Sequence, residues 1–156
     1  MKQYCTFYLN GMLFGVDVLE VQEVLLYQEM TQVPLAHDAI KGLINLRGQI
    51  VTAIDLRDRF SLSYSRSDEP PKNIVIQSED GAVSLLVDEI GEVIEPDENL
   101  FEETPENIKG VAREMIQGVY KLDGNLLLIL DTLKTISINS CQSSNWLQAN
   151  ETHTNL

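Results

Sequence analysis

The stretches IKGLINLRGQIVTAID at residues 40–55 and IQGVYKLDGNLLLILD at residues 116–131 are two copies of one pattern. They align without a gap: Ile40 on Ile116, Gly42 on Gly118, Leu46 on Leu122, Gly48 on Gly124 and Asp55 on Asp131. A weaker match precedes each copy. Residues 16–25 resemble residues 85–94, with Glu23 on Glu92 and Val24 on Val93. Self-similarity of this kind marks a duplicated structural unit. A unit of about 65 residues buries little surface alone, so the two copies are expected to share a core. The repeated glycines read as turn positions or points of close backbone approach. The repeated aspartates stand before short helical patterns and suit N-caps.

Working outward, most segments are short, apolar and rich in Val, Ile and Leu. Residues 7–9 lead through Asn10-Gly11 into residues 13–18, a hairpin signal because both turn residues accept positive φ. Residues 49–54, 73–77, 82–87 and 126–130 read as buried strands, and Glu79-Asp80-Gly81 as a second hairpin turn. Residues 38–41, after Pro34, are expected to form one helical turn. Residues 55–60 and 131–136 read as short Asp-capped helices. Many short strands with a few helical turns argue an all-β barrel or sandwich. Residues 61–71 are polar, end in Pro70-Pro71 and read as the connection between halves. From Asn139 onward the chain is polar, with Trp146 and Leu147 as isolated apolar points, and reads as a mobile tail.

The 156 residues carry 24 Asp+Glu against 11 Lys+Arg, a net charge of −13. Residues 1–78 hold 9 acids and 7 bases; residues 79–156 hold 15 acids and 4 bases. Phosphates repel such a chain, so nucleic acid is excluded as a partner class, and anionic membrane surfaces are disfavoured. No stretch approaches the roughly 20 apolar residues a membrane span needs. The N-terminal residues show no signal-peptide core. Cys5 and Cys141 form neither a disulfide framework nor a metal pair, which gives a reduced, cytoplasmic protein as the expectation.

The duplicated Asp55 and Asp131 raise the question of an aspartyl dyad sharing one proton. Neither is followed by the flexible Thr/Ser-Gly turn such sites use, and N-capping is the better reading. His37 and His153 have no neighbours that suggest a triad or metal set. Gly42 and Gly48 lack phosphate-loop context. The carboxylates at 88–103 read as a solvated acidic face, with a loose divalent-cation buffer as the alternative. No catalytic residue, metal or cofactor is therefore assigned. Arg47 stands apart, because it lies at a turn between apolar segments and its repeat partner is Asp123. It is either an ordinary exposed turn arginine or a charge needing a partner, for which Glu23 is a candidate.

Residues 14–18 (FGVDV), 21–24 (VQEV), Val33-Pro34 and 40–48 (IKGLINLRG) resemble the CheW-type chemotaxis coupling proteins. Residues 54–57, 86–90 and 118–131 continue the pattern in order, so the resemblance spans roughly residues 3 to 138. Thr52 departs from it, standing where the family often has proline. The resemblance implies two pseudo-symmetric five-stranded SH3-like barrels packed around a shared core, with a few short helices. The first would cover about 14–66, the second about 70–138 plus the N-terminal strand, and 139–156 would be outside the domain. It implies a non-enzymatic adaptor in the cytoplasm, recruited to membrane-associated receptor arrays. Its partners would be the regulatory domain of a CheA-type histidine kinase, the cytoplasmic tip of a methyl-accepting chemoreceptor, and other CheW-like domains in array rings. A coupling protein of another chemosensory array, such as one governing twitching motility, is the same-fold alternative. The receptor groove would use Val18, Val21, Glu23, Val24 and Arg47, with Val87 and Ile90 opposite, and a Glu23–Arg47 ion pair would orient it. The kinase contact would include Gly42 and Leu43. Strand alternation sends about half of such valines inward, so each is also a core candidate.

Overall fold

The computed structural model describes residues 1–62, 69–106 and 111–138. The expectations for the tail at 139–156, with Cys141, Trp146 and His153, and for residues 63–68 of the connection, lie outside them.

Tyr4–Leu9 (β1) and Met12–Asp17 (β2) form the first hairpin. Its turn residues Asn10 and Gly11 stand at φ 52° and 79°, the conformation the Asn-Gly signal requires. A single 3-10 turn, Val18–Glu20, is capped by the Asp17 carboxylate and delivers the chain to Val21–Leu25 (β3). Ile40–Leu46 (β4) and Gln49–Asp55 (β5) are the first copy of the repeat, followed by Leu56–Arg59 (α1). Lys72–Ser78 (β6), Gly81–Val87 (β7), Glu89–Ile94 (β8) and the two-residue Phe101–Glu102 (β9) come next. Val111–Glu114 (α2) precedes the second copy, Ile116–Leu122 (β10) and Asn125–Leu130 (β11), which ends in Thr132–Ile136 (α3).

The strands form two sheets, ordered β8-β1-β2-β11-β10-β9 and β3-β6-β7-β5-β4. The duplication is visible in the pairing. Within each copy the two strands are antiparallel, with a register shift before the first repeated glycine, between Ile40 and Gly42 and between Ile116 and Gly118. The second strand of each copy then runs parallel to a strand of a separate hairpin, β5 beside β7 and β11 beside β2. Asp55 and Asp131 are N-caps as expected, accepting from the amides of Arg57 and Lys134.

Neither sheet closes into a barrel, which corrects the expectation of two SH3-like barrels. A barrel needs every strand bonded to a neighbour on both sides. Here β3 and β4 are free edges of one sheet, and β8 and β9 of the other. The segment between β3 and β4 reaches β4 only at an isolated bridge, Thr31 to Leu43. It contains Pro34, which has no N–H to donate, and Leu35 at φ 61°, and so cannot run on as a ladder. On the other sheet β9 closes nothing beyond two pairs with β10. The helical turn expected at residues 38–41 is also absent. The His37 carbonyl and Nδ1 accept from the amides of Ile40 and Ala39, forming a tight turn, and Ile40 already belongs to β4.

The main core lies between the sheets and draws on both. Phe7, Leu9, Phe14 and Val16 meet Ile54, Ile74, Ile76, Leu85 and Val87, with Val119 and Leu130 from the second copy. Phe14 stacks between Phe7 and Phe60, with ring centroids 5.6 and 5.5 Å away. Each sheet also covers a smaller cluster of its own, around Val51, Ala53 and Val75 in one and around Tyr4, Tyr120 and Leu127 in the other.

Candidate functional site

Arg47 and Gly48 make the β4–β5 turn at φ 51° and 87°, and the Gly48 amide donates to Asn45 Oδ1 at 3.0 Å. A non-glycine residue in the left-handed region is strained by about 1 kcal/mol, and the Asn-Gly turn of β1–β2 shows the cheaper solution. The Arg47 guanidinium extends to the facing sheet edge, where its Nη2 donates to Glu23 Oε1. The expected Glu23–Arg47 ion pair is therefore present. It spans the open side of the sheet, from the β4–β5 turn to β3. The Arg47 side chain remains 67% exposed while that of Glu23 is 21% exposed. An exposed pair of this kind contributes about 0–1 kcal/mol to stability.

The β3 register shifts between Val21 and Glu23, which breaks the simple alternation along this strand. Val21, Gln22 and Glu23 are all half-buried, and Val24 is exposed. Val18 and Val21 pack half-buried against the main core, as does Ile90 from β8 on the other sheet. Val87 is 1% exposed and belongs to the core itself. Glu23, Val24 and Arg47 thus lie together at the β3 side of the five-stranded sheet, while Val18, Val21 and Ile90 share only their packing against the main core, Ile90 from β8 beside β1 of the other sheet.

Gly42 and Leu43 lie on the edge strand β4. A Cβ at Gly42 would stand 2.7 Å from the Thr31 carbonyl oxygen. The close approach expected of Gly42 is thus made by this chain's own residue 31, bound to Leu43 through two backbone hydrogen bonds of 2.8 Å. Leu43 is half-buried and accessible at the edge. Two residues that sequence reasoning missed are Leu26 and Tyr27, 74% and 46% exposed where the chain leaves β3. The run Val24-Leu25-Leu26-Tyr27 carries more apolar side chains than one strand face can bury, and that excess was the available signal.

Asp55 and Asp131 serve separate helices, and Asp55 lies 4.0 Å from Lys41 Nζ. Burial raises the Asp55 carboxyl above its ordinary range, against the Arg57 amide and the Lys41 charge, and Asp58 adds to the rise. No hydrogen bond joins the two aspartates among the described residues, so the aspartyl dyad has no geometric support. Among the same residues, no group of three or more His, Cys, Asp and Glu side chains is placed to share a metal ion. Among the described residues, no helix is long and apolar enough to cross a membrane.

The CheW-like domain model matches residues 3–139. The chemotaxis protein CheW of Bacillus subtilis is 32% identical over 92% of this chain and 92% of its own length. That of Klebsiella aerogenes is 32% identical over 87% of this chain and 82% of its own length. The crystal structure of the scaffolding protein CheW from Thermoanaerobacter tengcongensis superposes with a TM-score of 0.74 at 31% identity, covering 83% of this chain and 88% of that one. The duplicated two-sheet fold and these likenesses agree: the chain belongs to the CheW-like domain family, non-catalytic chemotaxis adaptors that link chemoreceptors to a CheA-type kinase.

Proposed function

We propose that the receptor tip lies across the surface of Val18, Val21, Val24 and Ile90, with Glu23 and Arg47 setting its angle. A helical hairpin presents apolar side chains at helical spacing, and a half-buried apolar strip beside a fixed charge pair suits it. Val87 supports this strip from below. The regulatory domain of the kinase meets the β4 edge around Leu43, whose position depends on Gly42 and on the Thr31 contact. The protein acts in the cytoplasm and is recruited to membrane-associated arrays, where other CheW-like domains complete the rings.

The observation that carries this reading is the Glu23–Arg47 pair. It is exposed, spans two strand edges and rests on a strained turn residue that folding alone does not need. Titrating the protein with a receptor-tip fragment and separately with a CheA-type regulatory domain tests it. Arg47→Ala is expected to weaken receptor binding about tenfold while leaving kinase binding and the circular dichroism spectrum unchanged. Unchanged receptor binding would remove Arg47 and Glu23 from the receptor surface. Association with both partners should also slow as salt is added wherever the acidic second half contributes to steering.

A further inference from the structure

The chain passes from one sheet to the other at Asp88, the single residue between β7 and β8. Its side chain is the most connected carboxylate near the junction. Arg57 Nε donates to Asp88 Oδ1 at 2.8 Å, and Arg57 Nη2 donates to Asp88 Oδ2. The Asn10 amide donates to the same Oδ2 at 2.9 Å, and the Asp88 amide donates to the Tyr8 carbonyl at 3.1 Å. Arg57 comes from α1, which follows β5 of the five-stranded sheet. Tyr8 and Asn10 come from the β1–β2 hairpin of the six-stranded sheet. The Arg57 side chain is 13% exposed and that of Asp88 25% exposed, so the fork-to-fork pair is largely shielded from solvent. Two residues along α1, Arg59 donates through Nε and Nη2 to the Thr135 and Lys134 carbonyls of α3, at 3.0 and 3.1 Å. Both arginines of α1 therefore reach across to the other half of the repeat. The aligned positions of the second copy, Leu133 and Thr135, carry no charge.

We propose that Arg57 and Asp88 are positioning residues that set the angle between the two sheets, and with it the relative placement of Ile90 and the Glu23–Arg47 pair. Asp88 stands between Val87 and Ile90 in sequence, so any movement of its carboxylate is carried directly into β8. The pair touches neither proposed partner. Its effect is on whether the two sides of the receptor surface are presented together, and in this it rests on the proposed receptor reading.

Asp88→Asn tests this, because it keeps an acceptor for the Asn10 amide and a similar shape while removing the charge. Arg57→Lys, which retains a cation and loses the fork, is the companion. The first readout is amide hydrogen exchange in the isolated protein. Exchange at Asn10, Asp88 and Ile90 is expected to accelerate about tenfold in Asp88→Asn, with Ile74 and Ile76 in the sheet interior unchanged. The second readout is binding. The receptor-tip fragment is expected to bind about tenfold more weakly, while kinase-domain affinity stays within about twofold. Arg57→Lys should fall between wild type and Asp88→Asn in both measurements.

Unchanged exchange at the junction, or equal acceleration throughout, overturns the positioning role. So does a loss of both partners in step, which is the mark of a merely destabilised fold. The exchange arm needs no partner. A wild-type chain that ignores the receptor fragment, with the junction still loosened in Asp88→Asn, would therefore count against the receptor reading and not against the clamp.

Discussion

The β4–β5 and β10–β11 hairpins have one backbone and two sets of side chains. Their first glycines stand at matching register shifts, and each is pressed by an outer segment. Thr31 and Met30 press Gly42; Phe101 and Glu102 press Gly118. Their second glycines, Gly48 and Gly124, both stand at positive φ in the turn. Their closing aspartates both cap a short helix. What differs is the residue before the turn glycine, Arg47 against Asp123, and the helix that follows, with Arg57 and Arg59 against Leu133 and Thr135. The residues kept in both copies are those the backbone geometry requires. Those that differ are the ones that reach across to another element, and these make the charged surface and the sheet junction.

Substitution of the first glycines should hit this comparison hardest. Gly42→Val forces a side chain against the Thr31 carbonyl, and backbone held by two hydrogen bonds yields poorly. A loss of about 3 kcal/mol is expected in urea denaturation. Gly118→Val meets the Phe101 ring, which is 43% exposed and can swing outward, and the Glu102 carbonyl 2.8 Å away, which belongs to a two-residue edge strand held by only two pairs. The expected loss there is smaller, about 2 kcal/mol. Equal losses, or the reverse order, would show that the outer segments are held alike despite their different lengths.

Acid should separate Asp55, in the first half, from Asp88, in the second. Burial alone would push the Asp88 carboxyl up. The Arg57 hydrogen bonds, the Asn10 amide and the charges of Arg57 and Lys72 outweigh burial and hold it below its usual range. Asp88 thus contributes stability that is present above the unfolded value, near pH 4, and lost as pH falls through its lower folded value. Asp55 has the opposite sign. Its raised carboxyl binds a proton more readily when folded, so its ionisation lowers stability as pH rises from the unfolded value through the folded one. In a series of urea melts from pH 2 to 6, about the range both groups span, Asp88→Asn should flatten the acid limb below about pH 4. Asp55→Asn should steepen the net rise above it. An acid limb unchanged in Asp88→Asn would mean that the junction carboxylate is not specifically stabilised in the folded state.

The residues alone left Arg47 open, and the Glu23–Arg47 pair followed from the family resemblance; the duplication, the strand content and both aspartate caps were legible directly, because each rests on local geometry or on a comparison of copies. Closure of the sheets was not. It depends on whether residues 26–39 and 95–106 continue as ladders, and Pro34, the positive φ of Leu35 and the brevity of β9 decide that only in three dimensions. The junction clamp was hidden for a related reason: Arg57 and Asp88 are 31 residues apart, in segments whose copies carry Leu133 and Leu19 at the aligned positions. The burial of Val87 follows from β7 lying between two strands, whereas Val24 is exposed because β3 has only one neighbour.

Arg47→Gly divides geometry from recognition within the first copy. Glycine relieves the left-handed strain of about 1 kcal/mol, and the lost surface pair was contributing a similar amount or less, so the folding free energy should change by no more than about 1 kcal/mol. Receptor-tip affinity should fall as far as in Arg47→Ala. If receptor binding survives in Arg47→Gly but not in Arg47→Ala, the turn conformation matters there and the charge does not.

The reciprocal change, Asp123→Arg, should have the smallest effect. Asp123 is exposed at the β10–β11 turn, in the half of the chain with 15 acids and 4 bases. The position aligned with Glu23 is Glu92, exposed on the edge strand β8. An arginine there would enter a field of carboxylates, and a gain of at most about 0.5 kcal/mol is expected at low salt. That gain should vanish by about 1 M salt, where the screening length is near 3 Å. A melting-temperature series across salt concentrations measures it. Receptor affinity should not change, because on the proposed reading the recognition surface uses one turn of the two, and the second lies on the other sheet. A fall in receptor affinity with the fold intact would mean that both turns face the partner, and the division of labour between the two copies would then have to be abandoned.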